Sequence, residues 1–333
     1  MREPHQGRYE LRARIGRGGM GDVWRAFDHE LRRDVCIKRL AMDLNPRTIR
    51  ELHEEARLLA RLRHANVVSL LDVILDERGA PALVLELIDG ADLKTLCATA
   101  PVGSHHGFLP DRVAVHCACA ILSALAAVQR AVPGLVHRDV TPHNVLVSKE
   151  GEVKLADFGI ALATGRERLS APLTVRGKLG YMAPEQARGE ALDPRADLFA
   201  VGVVLYELLA KKRPWGARPG MNELRRIERG VMTPIDQVRP MKRELVAPLE
   251  RLLAHDREKR FVSAEAALRA LAPFGSSDLE MLRLADISRT TKCKLPLHLA
   301  KASRKDANEP RGGDATQSKS LIATAVERRV RGA

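Results

Sequence analysis

The sequence predicts an α+β fold in two unequal parts: a small antiparallel sheet with one helix, then a larger, mainly helical body. Three observations predict it. From Tyr9, apolar Tyr9, Leu11, Ala13 and Ile15 alternate with polar Glu10, Arg12 and Arg14, the two-residue period of a half-buried strand. Two more strand-like stretches, DVWRAF and DVCIKRL, precede a helical pattern over about 48–63 and further apolar runs through Leu87. Beyond Gly90 the period changes, because RVAVHCACAILSALAAVQ and ADLFAVGVVLYELL are apolar on nearly every side, as helices enclosed in a core are. The predicted parts are 9–90 and 91–272. Residues 273–333 read as a basic, disordered tail, since from Gly275 apolar periodicity gives way to Ser, Lys, Arg and Gly. A short apolar patch within it, Leu321–Val326, is given no role.

With 333 residues, 45% of them apolar, the chain can bury a substantial core. A formal charge of +13 and a pI near 9.9 suit a nucleic acid or an acidic protein as partner. A solvated arginine-rich surface gives the same balance, and no concentrated basic arm emerges, so nucleic acid is disfavoured. The cysteines Cys36, Cys97, Cys117, Cys119 and Cys293 show neither an even framework nor CxxC pairs, which points away from disulfides and zinc and toward a reducing cytoplasm. The N-terminus lacks the apolar core of a signal peptide, and no later run offers about 18 uninterrupted apolar residues, so no membrane span is expected.

Chemistry enters first at Gly16-Arg17-Gly18-Gly19-Met20-Gly21, whose small residues let backbone N–H groups approach phosphate oxygens. Strand-like DVWRAF follows where a dinucleotide fold needs a helix, so the loop reads as a hairpin over phosphates, or as an ordinary glycine-rich turn. Next, Val35-Cys36-Ile37-Lys38 sets a cation among apolar neighbours, where an unpaired ammonium is costly. Lys38 therefore needs an acid. In the following helical pattern Leu52, Glu55, Leu59 and Leu62 share a stripe that Glu54 does not, making Lys38–Glu55 the economical pair. A surface lysine and a snorkelling glutamate remain the alternative.

Further along stand His137-Arg138-Asp139-Val140-Thr141-Pro142-His143-Asn144 and Asp157-Phe158-Gly159. Between them VLVS and EVKLA flank a Lys149-Glu150-Gly151 turn, a hairpin that brings Asn144 and Asp157 to one end. An amide and a carboxylate with positions left for water and phosphate suit Mg²⁺. Asp139, five residues before Asn144, is then placed to orient an incoming hydroxyl and accept its proton.

Taken together and in order, GRGGMG, VCIK, HEEA, HRDVTPHN, DFG, MAPEQ and ADLFAVG closely resemble the eukaryotic-type protein kinases, above all the bacterial serine/threonine kinases, over about residues 9–272. The resemblance implies the bilobal protein kinase fold. It implies transfer of the ATP γ-phosphate, with Mg²⁺ or Mn²⁺ held by Asn144 and Asp157, to serine or threonine hydroxyls of a protein substrate. It adds Ile15, Gly16, Gly18, Gly21, Val23, Cys36, Leu85, Glu86, Ile88, Asp92 and Leu146 to the nucleotide site: Leu85 as gatekeeper, Glu86 and Ile88 at the hinge, Asp92 near the ribose, and Val23, Cys36 and Leu146 around adenine. Cys36 replaces the usual alanine and reads as inert packing. Asp197 matches the aspartate of a buried helix, and Arg260 the arginine that pairs with Glu185.

The chain departs from the pattern twice. Thr141 stands where the catalytic loop usually carries lysine, and Lys178 where the segment before APE usually carries threonine. A reciprocal exchange keeps the charge count, with Lys178 supplying the ammonium and Thr141 the hydroxyl; a nucleotide-binding pseudokinase is the competing reading. A small-molecule phosphotransferase is disfavoured, because such enzymes generally lack the APE segment, Asp197 and its arginine. Arg138 implies control by a phosphate in the activation segment, with Ser170 and Thr174 as acceptors and self-association as the route.

Overall fold

The structure is a computed structural model, and it describes residues 7–18, 21–39, 60, 62–75, 81–99, 109–158, 179–216, 221–275 and 278–290. All lie within one compact unit, Met1–Ala300. The helical pattern over 48–63 falls outside the described residues up to position 59, as do Leu321–Val326.

Strands β1 (Tyr9–Gly18), β2 (Gly21–Asp28), β3 (Arg33–Arg39), β4 (Leu70–Leu75) and β5 (Pro81–Glu86) form an antiparallel sheet in the order β1-β2-β3-β5-β4. The alternation read from Tyr9 is the pleat of β1. Its register ends at Gly18 opposite Gly21, a two-residue connection, and Gly21 sits at φ 127°, open to glycine and strained for other residues. One small apolar cluster, Ala26, Val35, Ile37, Ile74, Ala82 and Val84, fills one face of this sheet. Charged rows frame it. Arg8 holds the buried Asp28 through two hydrogen bonds of 3.0 and 3.1 Å, and Arg12 and Arg25 share Asp34.

The chain leaves the sheet at Glu86 and enters the body through β6 (Gly90–Asp92), which joins β7 (Val145–Ser148) and β8 (Val153–Leu155) in a second antiparallel sheet. Helix α1 (Leu93–Thr99) starts where the Asp92 carboxylate accepts the Thr95 N–H at 2.9 Å, satisfying a donor that the first helical turn leaves open. Helices α2 (Asp111–Ala131) and α4 (Arg195–Ala210), separated by the short α3 (Pro184–Ala187), pack against each other at the centre of the body. Around them lie α5 (Met221–Glu228), α6 (Arg243–Leu252) and α7 (Ala264–Leu271). These are the two all-apolar patterns of the sequence. They are apolar on every side because neighbours cover them on every side.

Helix α2 is long and apolar enough to cross a membrane by length and composition, but its Val113, Ile121, Leu122 and their neighbours are buried against α4, α7 and β8, as in a core helix. One expectation is corrected: the tail expected from residue 273 contains helix α8 (Asp278–Thr290), packed on α2 and β7 with Leu284 and Ala285 buried. The buried Glu280 takes an ion pair from Arg112 at 3.3 Å. Gly151 turns beneath α8 so closely that a Cβ there would lie 2.0 Å from the Met281 carbonyl oxygen. The apolar residues of α8 do not fall on one clean stripe, so the period announces the helix only weakly; what stabilises it is the surface it covers.

Candidate active site

Between the two sheets runs a cleft, and its inner half is apolar. Ile15, Val23 and Cys36 form one cluster above it, Val68, Ile88, Leu146 and Ala156 another below, and Leu85 packs against both. A flat slot between two small clusters fits a planar heteroaromatic ring. The resemblance had assigned Ile15, Val23, Cys36, Leu85, Ile88 and Leu146 to such a site, and the structure brings them together there; Val68 and Ala156 are additions that lone small apolar residues could not announce. Burial, and next the Asp157 charge, push the Cys36 thiol up to about 12, so the thiolate reactivity needs is scarce at neutral pH.

The outer half is charged. Lys38, 2% exposed near the end of β3, bonds Asp157 at 2.7 Å, which is itself 12% exposed. That ion pair answers the desolvation problem of a lysine within an apolar strand. Asp157 has φ 73°, a left-handed conformation costing a non-glycine residue about 1–3 kcal/mol, which surrounding structure must hold in place. The β7–β8 hairpin does so from one side, through Ala156 N–H on the Asn144 carbonyl at 2.8 Å. Asn144, buried at the start of that hairpin, gives both side-chain donors to Asp139, at 2.7 Å to its carbonyl and 2.9 Å to its carboxylate. Asn144 therefore orients Asp139 and keeps its own carbonyl oxygen as a hard donor. With Asp157 this fits a divalent cation that completes its shell from phosphate and water. Among the described residues no group of three or more His, Cys, Asp or Glu side chains forms a closed metal cage.

Behind the loop a second layer holds it. Buried Asp197, in the first turn of α4, accepts the His137 and Arg138 N–H groups at 2.7 and 2.9 Å. Arg138, at φ 65°, needs that support. Burial raises the Asp197 carboxyl above its ordinary value, an effect the two N–H groups and the Arg138 charge oppose. His137 reaches the Ala156 carbonyl at 2.9 Å through Nε2 and receives the Asp139 N–H at 3.3 Å on Nδ1, which assigns the neutral tautomer with its proton on Nε2. Its ring meets Phe158 edge to face. Further out, fully buried Arg260 clasps Glu185 through two bonds of 2.6 and 2.8 Å and gives its other donors to the carbonyls of Ala254, Arg195 and His255.

Other expected residues are placed as follows. Gly16 and Gly18 lie on β1 opposite Val23 and Gly21. The Glu86 carboxylate accepts the Ser69 N–H at 2.7 Å and Lys154 at 3.2 Å, securing the strand that leads out of the sheet. Asp92 is buried beneath the cleft rather than lining it, its carboxylate committed to Thr95 and to His143 at 3.6 Å. Burial pushes that carboxyl up, but the bonds from His143 and Thr95 outweigh it and hold it below its ordinary value. Thr141 is buried with a hydroxyl that finds no hydrogen-bond partner among the described residues. Glu55, Gly159, Ser170, Thr174 and Lys178 lie outside the described residues; among those described, the acid on Lys38 is Asp157. His143, which lines the cleft, went unassigned because a lone histidine in a loop carries no pattern.

An apolar slot that opens onto a Lys–Asp pair and an Asp–Asn pair offers a planar ring a seat beside groups suited to phosphate oxygens and a cation. The chain belongs to the protein kinase domain family, whose model matches residues 9–270. It is 39% identical over 224 residues to a probable serine/threonine-protein kinase of Streptomyces coelicolor, covering 65% of this chain and 32% of that protein. It is 36% identical over 283 residues to the tyrosine-protein kinase MasK of Myxococcus xanthus, covering 82% and 44%. The chain thus spans about a third to under a half of these two relatives' length. Among solved structures, the kinase domain of Mycobacterium tuberculosis PknI superposes with a TM-score of 0.59 at 25% identity, covering 80% of this chain and 95% of that one.

Proposed function

We propose that this chain is a protein serine/threonine kinase that uses ATP with Mg²⁺ or Mn²⁺ and acts in the cytoplasm, in part on its own activation segment. The observation that carries the reading is the convergence of Asp139–Asn144 and Lys38–Asp157 at the mouth of one apolar slot. In this reading adenine occupies the slot between Val23 and Leu146, the Gly16–Gly21 hairpin covers the phosphates, and Lys38 holds phosphate oxygens. Asn144 and Asp157 hold the cation, which on binding neutralises charge developing on the phosphoryl group. Asp139, fixed by Asn144, orients the acceptor hydroxyl and takes its proton. Serine/threonine over tyrosine follows the resemblance and the Streptomyces relative; a tyrosine kinase stands among the relatives too. Four described cysteines, Cys36, Cys97, Cys117 and Cys119, are free thiols, in keeping with a reducing compartment.

We assign Lys178 and Thr141 the exchanged roles of ammonium and hydroxyl. The buried, unpartnered Thr141 hydroxyl supports this, because such a group costs about 1–3 kcal/mol unless a partner arrives. The same substitution favours a second reading, a pseudokinase that binds nucleotide without turnover. Purified chain is incubated with labelled ATP and Mg²⁺ beside Asp139→Asn. The kinase reading expects label on the chain and on a generic protein substrate, with transfer falling about 10²- to 10⁴-fold in the variant. Nucleotide binding without any transfer by the wild type establishes the pseudokinase instead. If transfer occurs, Thr141→Lys and Lys178→Thr, singly and together, test the exchange, which expects the double variant to outperform the worse single.

A further inference from the structure

Beside the loop that carries Asp139, a lysine and a histidine stand over two acids. The Lys94 N–H, in the first turn of α1, bonds the Pro142 carbonyl at 3.2 Å, which fixes Lys94 against that loop. Its ammonium bonds Glu207 of α4 at 2.6 Å, and the second Glu207 oxygen accepts the Tyr181 hydroxyl. His143, next to Asn144 in the chain, turns to Asp92 in the same way. In both pairs the acid is the inner partner. Lys94 and His143 are 44% and 45% exposed, while Glu207 and Asp92 are 13% and 2% exposed.

We propose that Lys94 forms a subsite for an acidic side chain of the protein substrate, close to the acceptor hydroxyl. The proposal rests on the protein-kinase reading and deepens it. Pro142 is three residues from Asp139 on the same loop, and the Lys94 backbone N–H is bonded to its carbonyl, so the start of α1 lies beside the loop that would face an acceptor hydroxyl. An extended strand advances about 3.3 Å per residue, so a side chain two or three positions from the acceptor reaches Lys94. Of the three ammonium donors one goes to Glu207, leaving donors for an incoming carboxylate. An incoming Arg or Lys meets a cation first, and the acids it would seek are buried and engaged with Lys94, Tyr181, Thr95 and His143. The chain's +13 charge biases encounter the same way.

The test measures kcat/KM of the full chain on three serine peptides differing only within three residues of the acceptor, with Glu, Ala or Arg there. Lys94→Ala and Lys94→Glu are compared with wild type, with labelling of the chain itself followed in parallel. The subsite expects Glu over Ala over Arg in wild type, a loss of about five-fold in the Glu-to-Arg ratio for Lys94→Ala, and reversal for Lys94→Glu. Peptide and self-labelling with no charge preference, with Arg preferred, or with the same ratio in both variants overturns the subsite and leaves the kinase reading standing. Labelling of neither peptide nor chain overturns both.

Discussion

The five-stranded sheet and the helical body solve the burial of charge in opposite ways. In the sheet the main apolar cluster is six residues, and the ion pairs each keep a partly exposed arginine: Arg8 on buried Asp28, Arg12 and Arg25 on Asp34. In the body the apolar core extends from α2 through α4 to α7, and the charges within it, Asp197, Glu185 and Arg260, are almost wholly buried with their hydrogen bonds made. Exposed pairs contribute little and survive the loss of a partner, whereas a buried pair is costly to break because the remaining charge is stranded. The body is thereby a rigid platform for Asp139 and Asn144, and the sheet a lighter piece that contributes Lys38 and the glycine hairpin.

The contrast is broken most severely at Arg260. Arg260→Ala strands Glu185 and should lower stability by about 3–5 kcal/mol in urea unfolding, while adding Glu185→Leu should recover part of it. Asp197→Ala comes next: losing two N–H bonds to a charged acceptor should cost about 2–3 kcal/mol, and freeing the strained Arg138 should lower transfer even where the fold persists. Ending the chain at residue 276 removes α8 and uncovers Gly151 and α2; burial of Leu284 alone sets an expected loss of about 2 kcal/mol, read as a drop in Tm. In the sheet, Arg12→Ala should change stability by less than about 1 kcal/mol; a loss equal to that at Arg260 would erase the distinction.

The smallest effect sharpens the comparison through pH. The hydrogen bond from Arg8, with the Leu31 and Glu30 N–H groups adding to it against burial, holds the Asp28 carboxyl below its ordinary value. A depressed carboxyl contributes stability above its unfolded pKa of about 3.9 and loses it as pH falls through the lower folded value. Arg8→Ala should remove that contribution at neutral pH, and the gap between variant and wild type should close as pH falls through the folded Asp28 value, leaving the variant a shallower acid limb in pH-dependent unfolding.

What the sequence determined by itself was local or compositional. Alternation from Tyr9 announced β1, the glycines at 16, 18 and 21 announced the hairpin, and all-round apolarity announced α2 and α4 as enclosed helices, since these patterns repeat within one or two turns of chain. Lys38 among Val35, Cys36 and Ile37 announced that an acid was needed, and the motif order paired Arg260 with Glu185. The tertiary structure alone decided which distant groups meet. It set Asp157 on Lys38 across 119 residues, put Asp92 under His143 instead of on the cleft wall, seated Glu207 beneath Lys94, and made a helix of 278–290. Desolvation explains the division: the requirement for a partner is fixed by a residue's own type and neighbours, but its identity depends on which charge the folded chain carries to the same few ångströms.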